Sequence, residues 1–407
     1  MYGIAIVVFI SMIILKYCNV FAKPEKSTFY SANFNFISQL LKYEPKLLEP
    51  YSPTRLWGYN GHIQTLIEGF THFLPLPVLY GERFILTASD GATISYDLYQ
   101  PHTNIKIENG ITLAVAPGVF GSSKSSNIRR LIDYAQLNGY RVAVLNHVGV
   151  LKCLPVTSPR IFNYGNTSDY DDMVKDVLTK YPNSKIICIG YSMGGNIITK
   201  YLGERNSIPQ IIAGIAACHL YDNHQTYLLL NTWKNFRKFY LSTLTNKYRA
   251  LVHRWSDCLF SDEIRAKGIN EKEVGDAHTI LEFDDVYSRK LYGYNTIENM
   301  YKDWNSISYW HNISVPIVFI NSTVDPLVPS ELVEIGKQYV NYRHNKEMDY
   351  QFDSCKKDRL LIEQKYGGHL GFFEGGFLKP NTITWLDRTV ISLANALNNY
   401  VQNNKNL

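Results

Sequence analysis

A serine set between two glycines is the first pattern in this 407-residue chain that could carry out chemistry. The stretch CIGYSMGGNI places Ser192 between Gly190 and Gly194. SKII precedes it, so the serine follows a short β-branched run that ends in glycine, and a sequence with a helical pattern comes after it. A G-x-S-x-G sequence at a strand–turn–helix junction is typical of a nucleophile elbow, whose tight turn lifts the hydroxyl clear of the sheet. The helix N-terminus behind it favours the negative charge that acyl transfer develops. The motif therefore predicts Ser192 as a nucleophile.

Such a serine is a poor nucleophile alone and needs a base and an acid that orients the base. Asp325 ends the apolar run PIVFINSTVDP, and His369 follows LIEQKYGG, again after a predicted strand. The three residues stand in the order serine, acid, histidine, which accompanies this kind of elbow. Each lies at the carboxyl end of a predicted strand. The order and the placement predict a catalytic triad of Ser192, Asp325 and His369.

The oxyanion of an acyl-transfer intermediate needs two N–H donors. Met193, directly after the nucleophile, is predicted to supply one through its backbone. The second is predicted at Val119, in the glycine-rich loop APGVFGSSKSS that follows the strand ITLAVA. Gly118 and Gly121 would let this backbone approach the substrate closely.

Several other residues carry weaker signals. Rival acids that follow no clear strand are Asp284, Asp285 and Asp353. His62, in LWGYNGHIQT, is interpreted as part of a packing segment, and His147 as a packed histidine near the site. His344 and Asp349 have the H-x4-D spacing of some acyltransferases, but their polar surroundings favour a chance match.

The elements that would position these residues alternate along the chain between apolar strand-like runs and helical periodicity. The predicted strands are 111–118, 141–149, 185–192, 210–218, 315–326 and 358–368, and the predicted helices 127–139, 168–182, 193–204, one from Ser330, and 382–401. Two more strands are predicted around the Ser-Asp-Gly turn of RFILTASDGATISYDLYQP. Apolar strands separated by helices predict an α/β fold with a parallel sheet buried on both faces.

The alternation of predicted strands and helices stops after about Tyr221 and resumes near residue 313. The sequence between these points is rich in aromatic residues and has a helical pattern. One sheet fold with an insertion explains this more simply than three domains. The predicted division is a membrane anchor or signal segment at 1–22, an N-terminal extension at 28–80, a core in two parts at 81–221 and 313–407, and a helical lid at 222–312. An insertion there would lie over the sheet edge where open α/β sheets bind ligands.

Composition sets limits on partners and cofactors. With 45% hydrophobic and 19% charged residues the chain is globular rather than disordered. A formal charge of +5 without a basic run argues against nucleic acid. The six cysteines are scattered without a C-x-x-C pair, which indicates neither a disulfide framework nor a metal site. The predicted chemistry requires no cofactor and no metal.

The first residues, MYGIAIVVFISMIIL, carry no charged side chain. At about 1.5 Å per residue fifteen residues reach about 22 Å, and an extension to Ala22 across Lys16 reaches about 33 Å, enough to cross a bilayer core of about 30 Å. We favour an uncleaved anchor over a signal peptide cut after Ala22. The lysines after the segment would place the body in the cytosol, whereas sequons at Asn166, Asn312 and Asn321 fit the other side, so topology stays open.

The chain resembles the α/β-hydrolase domain-containing proteins 1, 2 and 3. The resemblance covers about residues 50–400 and is carried by LWGYNGHIQT, SDGAT, YAQLNGYRVAVLNHVG, GYSMGGNI, STVDPLV and GGHLGFFEG. It implies the α/β-hydrolase fold with an inserted helical lid, and the same triad of Ser192, Asp325 and His369. It also implies a single N-terminal anchor in the cell membrane or endoplasmic reticulum, hydrolysis of monoacylglycerols with short-chain esters as a side activity, and a steroid-responsive lipase action.

The leading hypothesis is therefore a membrane-anchored serine hydrolase of acylglycerol esters. Its expected partners are a lipid ester substrate, the lipid bilayer and, by resemblance, a small apolar molecule such as a steroid. One alternative is a ligand-sensing protein that uses the same pocket. Another is an acyltransferase, in which transfer to an alcohol would exceed hydrolysis.

Overall fold

A single mixed β-sheet runs through this computed structural model, which describes residues 9, 12, 15–69, 76–102, 110–205, 208–341 and 358–404. The sheet has nine strands among the described residues. They are β1 Thr28–Tyr30, β2 Glu82–Thr87, β3 Thr93–Tyr99, β4 Ile111–Ala116, β5 Arg141–Asn146, β6 Lys185–Tyr191, β7 Ile211–Ala217, β8 Ile317–Ser322 and β9 Arg359–Gln364.

The strand order is β1-β9-β8-β7-β6-β4-β5-β3-β2. The six neighbouring strands from β9 to β5 are mutually parallel, whereas β1, β3 and β2 pair antiparallel at the two sides. From β4 the chain first adds β5 on one side and then returns to β6 on the other. Open α/β sheets bind their ligands at such a reversal, outside the carboxyl ends of the strands. The mostly parallel sheet confirms the predicted fold class.

Helices cover both faces of the sheet. Those of the two core parts and the N-terminal extension are α1 Phe34–Tyr43, α2 Gly61–Gly69, α3 Ser126–Leu137, α4 Ser168–Lys180, α5 Met193–Glu204, α14 Ser330–Val340 and α15 Trp385–Asn404. Helices α1, α3 and α15 pack on one face, and α4 and α5 on the other. The six parallel strands are almost wholly buried because both faces are covered, which explains their continuous runs of Val, Ile and Ala.

The segment between β7 and β8 is a set of helices over the second face, most of them short. They are α6 Asn223–Leu230, α7 Arg237–Arg254, α8 Ser256–Leu259, α9 Asp262–Ala266, α10 Glu271–Asp276, α11 Ile280–Phe283, α12 Arg289–Leu291 and α13 Ile297–Trp304, with a π-helical turn at Asp284–Ser288 and a 3-10 helix at Ser306–Asn312. Aromatic side chains join these helices to the core, as Trp304 does against Tyr164. The domain boundaries remain a prediction.

The N-terminal extension contributes a strand to the sheet. It adds β1, which pairs antiparallel with β9 at the sheet edge, where three residues were too few to give a strand signal. Residues 1–8, 10–11 and 13–14 of the predicted anchor lie outside the described residues. Across the part of the chain that is described, no helix has both the length and the apolar character needed to cross a bilayer.

Candidate active site

The turn after β6 holds Ser192 in an unusual backbone conformation. Its φ of 54° and ψ of −116° are rarely adopted by a residue with a side chain, and such strain is common at functional sites. A Cβ added to Gly190 would lie 2.2 Å from the carbonyl oxygen of Gly194, and one added to Gly194 would lie 2.0 Å from that of Ala116. Both glycines are thus required by close backbone contacts of the turn.

Ser192, His369 and Asp325 meet at the carboxyl edge of the sheet. The Nε2 atom of His369 lies 2.7 Å from Ser192 Oγ, and its Nδ1 atom lies 2.9 Å from Asp325 Oδ2. An ionised carboxylate only accepts hydrogen bonds, so Nδ1 carries the proton and Nε2 is left to accept from the serine hydroxyl. This is the arrangement in which an imidazole can act as a general base toward a serine.

The sheet explains why three residues so far apart in sequence converge. Ser192 follows β6 directly, Asp325 lies three residues beyond β8, and His369 lies five residues beyond β9. These parallel strands end at one edge. Ser192 and Asp325 are only 4% and 5% exposed, so the charges involved are shielded from water and act more strongly.

Asp325 is held by its own loop as well as by the histidine. Its Oδ1 atom accepts hydrogen bonds from the backbone N–H groups of Leu327 and Val328, at 2.8 and 3.2 Å. The two oxygens therefore have separate partners, and Oδ2 is fixed toward His369. The separate partners of Oδ1 and Oδ2 determine how the amide of an asparagine at this position would be oriented.

The side chains of Cys218, Thr65 and Gln64 bond to the backbone of the loop that carries His369, and sequence reasoning assigned a role to none of them. The Sγ atom of Cys218 accepts from the N–H of Leu370 at 3.4 Å, and burial and the nearby charge of Asp325 raise the pKa of its thiol well above the usual value.

Among the described residues, Cys218, Asp325 and His369 are the group whose donor atoms lie near enough to hold a metal, but these atoms already bond one another or the backbone.

Two backbone N–H groups, those of Met193 and Val119, are the predicted donors to an oxyanion. Met193 is the first residue of α5, so its N–H has no acceptor within the helix. On the other side, a Cβ added to Gly118 would lie 3.4 Å from the Cβ of Ser192, which puts the loop bearing Val119 beside the nucleophile. The assignment of Met193 and Val119 to an oxyanion hole remains a prediction.

His147 supports this loop from beneath. It is buried, and burial lowers the pKa of its imidazole, so the ring is neutral near pH 7. Its Nε2 atom lies 3.0 Å from the carbonyl oxygen of Pro117, to which it must donate because a carbonyl cannot. The predicted packed histidine thus also fixes the start of the loop that holds Val119.

Helix α7 crosses above the site. The hydroxyl of Tyr240 lies 2.9 Å from Nδ1 of His62, whose lowered pKa reflects burial partly offset by the charge of Asp325. Further along α7, the ring of Tyr248 contacts the ring of Phe120, beside Val119, at 4.7 Å between centroids. Eight helical residues span about 12 Å. One helix therefore reaches from the acid side of the triad to the loop that bears Val119.

The rival acids do not take part in this arrangement. Asp284 is buried within the lid, where its carboxylate accepts hydrogen bonds from Tyr164, Tyr301 and Ser288 at 2.8 to 3.0 Å. Asp285 pairs with Arg289 at the surface. Asp353, His344 and Asp349 lie outside the described residues.

Burial of Asp284 gives a testable dependence of stability on pH. Burial raises its pKa from 3.8 to about 6, although the three hydrogen bonds lower it. A raised folded-state pKa stabilises the fold at acidic pH, and this contribution is lost as pH rises through about 6. From pH 5 to pH 8, Asp284→Asn is therefore expected to gain about 1 to 2 kcal/mol of unfolding free energy relative to wild type.

Urea unfolding of both proteins at pH 5 and pH 8 measures this difference. Asp285→Asn, which removes the adjacent exposed carboxylate, is the control for a change of net charge. If wild type and Asp284→Asn change in parallel with pH, the buried carboxylate does not behave as described.

Comparison with known proteins shows which proteins this chain is similar to. A sequence profile of the alpha/beta hydrolase fold matches residues 112–375, more than half of the chain. The chain is 39% identical to abhydrolase domain-containing protein 2 of Drosophila melanogaster, over 97% of this chain and 96% of that protein. It is 34% identical to monoacylglycerol lipase ABHD2 of Homo sapiens, over 89% and 84% of the two chains. Phospholipase ABHD3 of Homo sapiens is 28% identical, over 87% and 80%.

Proposed function

The chain belongs to the alpha/beta hydrolase family, in the group of abhydrolase domain-containing protein 2, and we propose that it hydrolyses monoacylglycerols through Ser192, His369 and Asp325. Membership of this group makes it a carboxylic ester hydrolase that acts on lipid esters. The observation that carries the finer proposal is the continuous hydrogen-bonded path from Asp325 through His369 to Ser192, at 2.9 and 2.7 Å.

In the proposed first half-reaction, Ser192 Oγ attacks the ester carbonyl while its proton passes to Nε2 of His369. Asp325 holds the imidazole in place and stabilises its charged form. The N–H groups of Met193 and Val119 stabilise the oxyanion of the tetrahedral intermediate. His369 then gives the proton to the leaving glycerol oxygen, and an acyl-serine remains.

In the second half-reaction, His369 takes a proton from water, and the resulting hydroxide attacks the acyl-serine. The fatty acid leaves when the same proton returns to Ser192 Oγ. No metal or cofactor takes part in either half. Short-chain esters are proposed as secondary substrates because the chemistry at the carbonyl is the same and only the contacts to the acyl chain differ.

Aromatic side chains near the triad favour a substrate with an acyl chain. Tyr240 and Tyr248 of α7 reach down to the two sides of the triad, and the ring of Phe120 also contacts Phe162 at 5.4 Å between centroids. Aromatic side chains provide large apolar contact areas for little conformational entropy. The lid is therefore proposed to cover the acyl chain.

A lipid surface is the proposed source of this substrate. The turn before α7 exposes Trp233 and Phe236, and the first turn of the helix exposes Phe239; the three are 70%, 62% and 54% exposed. The Phe236 ring lies 6.2 Å from that of His62, beside the acid loop. Lys238 lies over the Trp233 ring, and Lys234, next to Trp233 in the sequence, pairs with Glu331 at 3.3 Å. Exposed aromatic residues with lysines suit the interface of a bilayer that contains anionic lipids.

One experiment tests both the proposed hydrolysis of monoacylglycerols and the proposed uptake of substrate from a lipid surface. Purified protein is given a long-chain monoacylglycerol in vesicles of phosphatidylcholine and phosphatidylserine and, separately, the soluble ester p-nitrophenyl butyrate. Wild type is expected to hydrolyse both. The double variant Trp233→Ser, Phe236→Asn is expected to lose about tenfold on vesicles but less than twofold on the soluble ester, because only surface binding is affected.

Phe34→Asn is the matched control, since it removes an exposed aromatic from α1. If wild type hydrolyses neither ester, the proposed reaction is wrong. Equal losses on both substrates would instead argue against a lipid-docking role of the turn. Release of fatty acid from phosphatidylcholine in place of the monoacylglycerol would change the substrate to a phospholipid.

A further inference from the structure

Helix α2 lies between the loop that carries the acid and the loop that carries the base. A Cβ added to Gly61 at its start would lie 2.0 Å from the carbonyl oxygen of Val324, the residue before Asp325. A Cβ added to Gly368, the residue before His369, would lie 2.5 Å from the carbonyl oxygen of Gly61. The first turn of α2 is therefore in direct backbone contact with both loops.

Thr65 bonds directly to the backbone of the histidine. Its Oγ1 atom accepts a hydrogen bond from the N–H of His369 at 2.8 Å. The same hydroxyl donates to the carbonyl oxygen of Gly61 at 2.7 Å, which fixes its direction. The hydroxyl thus fixes the position of the His369 backbone relative to α2.

Gln64 holds the other end of the same loop, four residues later. Its side chain is fully buried, and its Oε1 atom accepts from the N–H of Phe373 at 2.7 Å. Its Nε2 atom donates to Gly58 and to the hydroxyl of Tyr51, which in turn donates to the carbonyl oxygen of Phe373 at 2.9 Å. Both backbone polar groups of Phe373 are therefore bound through Gln64 and Tyr51.

The loop between these two points needs external support. It contains no helix or strand, and Leu370 has a φ of +62°, which is unfavourable for a residue with a Cβ. Such conformations persist only where the surrounding contacts fix them. Thr65 and Gln64 supply contacts of this kind at both ends.

The far end of α2 is itself anchored in the core. Glu68 forms a buried ion pair with Arg130 of α3 at 2.6 Å, and Arg130 also approaches Asp387 of α15 at 3.7 Å. Loss of one partner from such a buried pair leaves an uncompensated charge, so the helix cannot shift at low cost. The helix that contacts the histidine loop is therefore tied to the core at its other end.

We propose that Thr65 and Gln64 are positioning residues of the triad, and that α2 sets the place of His369 relative to Ser192. This inference rests on the proposed function, because it assigns a role within the same reaction. It gives the GHIQT segment a function that packing alone does not. Misplacement of a reacting group by about 1 Å can cost about 100-fold in rate, so a small loop shift would be visible.

The test uses a fluorophosphonate probe that reacts with an activated serine. Thr65→Val keeps the shape of the side chain but removes the acceptor for the His369 N–H. It is expected to slow labelling of Ser192 about 10- to 100-fold, with kcat lowered by a similar factor and KM changed less than about threefold. The labelled fraction at the end point should equal that of wild type. Thr65→Ser, which keeps the hydroxyl, should restore the rate.

Gln64→Leu is the second variant and is expected to slow labelling in the same way. Thr179→Val is the matched control, since the Thr179 hydroxyl makes the same type of bond to a carbonyl oxygen one helical turn back, in α4. A lower labelled fraction with a normal rate at the remaining sites would show a merely structural role and overturn the inference. So would an unchanged rate in Thr65→Val. Failure of wild type itself to label at Ser192 would overturn the proposed function and, with it, this inference.

Discussion

Replacing Ser192 with alanine is expected to lower kcat/KM for ester hydrolysis by about 10⁴-fold or more, since it removes the atom that forms the acyl intermediate. The same substitution should abolish labelling by a fluorophosphonate probe. The fold should be unaffected, because alanine keeps the Cβ and the backbone of the turn. Residual hydrolysis above the rate in water would come from the oxyanion site and from binding alone.

Initial rates with a soluble ester and with a monoacylglycerol measure this effect. Ser184→Ala is the matched control, because Ser184 is also buried and precedes the opposite end of β6. Adding His369→Ala to Ser192→Ala should cost little more, because residues that act as one unit are not additive. A Ser192→Ala protein that retains hydrolysis and labelling would show that another residue is the nucleophile.

The sequence contained enough information to predict the sheet and the meeting of Ser192, Asp325 and His369. Strands buried on both faces are continuous apolar runs, so they can be recognised without knowledge of their neighbours. The carboxyl ends of parallel strands share one edge, so a residue just after each strand has a known approximate place. Helix α5 begins and ends where its pattern predicted, at Met193 and Glu204.

The parts that could not be predicted depend on contacts between distant segments. Strand β1 has three residues and exists because β9 offers an edge to pair with. Thr65 has the same local bond to a preceding carbonyl as any helical threonine, and its contact with His369 joins residues 304 positions apart. The sequence around Cys218 likewise indicated only a buried thiol, and no local pattern placed that residue beside Asp325. Residues that position a catalytic group in this way follow no fixed spacing along the sequence.

Asp325→Asn is expected to lower kcat by about 10⁴-fold although the amide has almost the same shape as the carboxylate. The reason lies in the two oxygens of Asp325. Oδ1 accepts from the N–H groups of Leu327 and Val328, so in the variant the amide oxygen takes that place. The amide nitrogen, which can only donate, then faces Nδ1 of His369.

This reverses the direction of the hydrogen bond to the imidazole. With a donor opposite, Nδ1 must accept, so the proton of the neutral ring moves to Nε2. Nε2 then cannot take the proton of Ser192, which lies 2.7 Å away in wild type. The variant is therefore expected to hold its loop and its fold but to lack a general base, with kcat lowered far more than KM is changed.

Steady-state hydrolysis of a soluble ester, together with the rate of fluorophosphonate labelling, measures the loss. Asp285→Asn, which removes an exposed carboxylate paired with Arg289, is the matched control and should stay within about twofold of wild type because surface ion pairs contribute little. Labelling of Asp325→Asn should slow with kcat, since both reactions begin with the same proton transfer. A variant that keeps more than about a tenth of wild-type activity would mean that the orientation of His369 does not depend on Asp325, and that another acid in the chain performs this role.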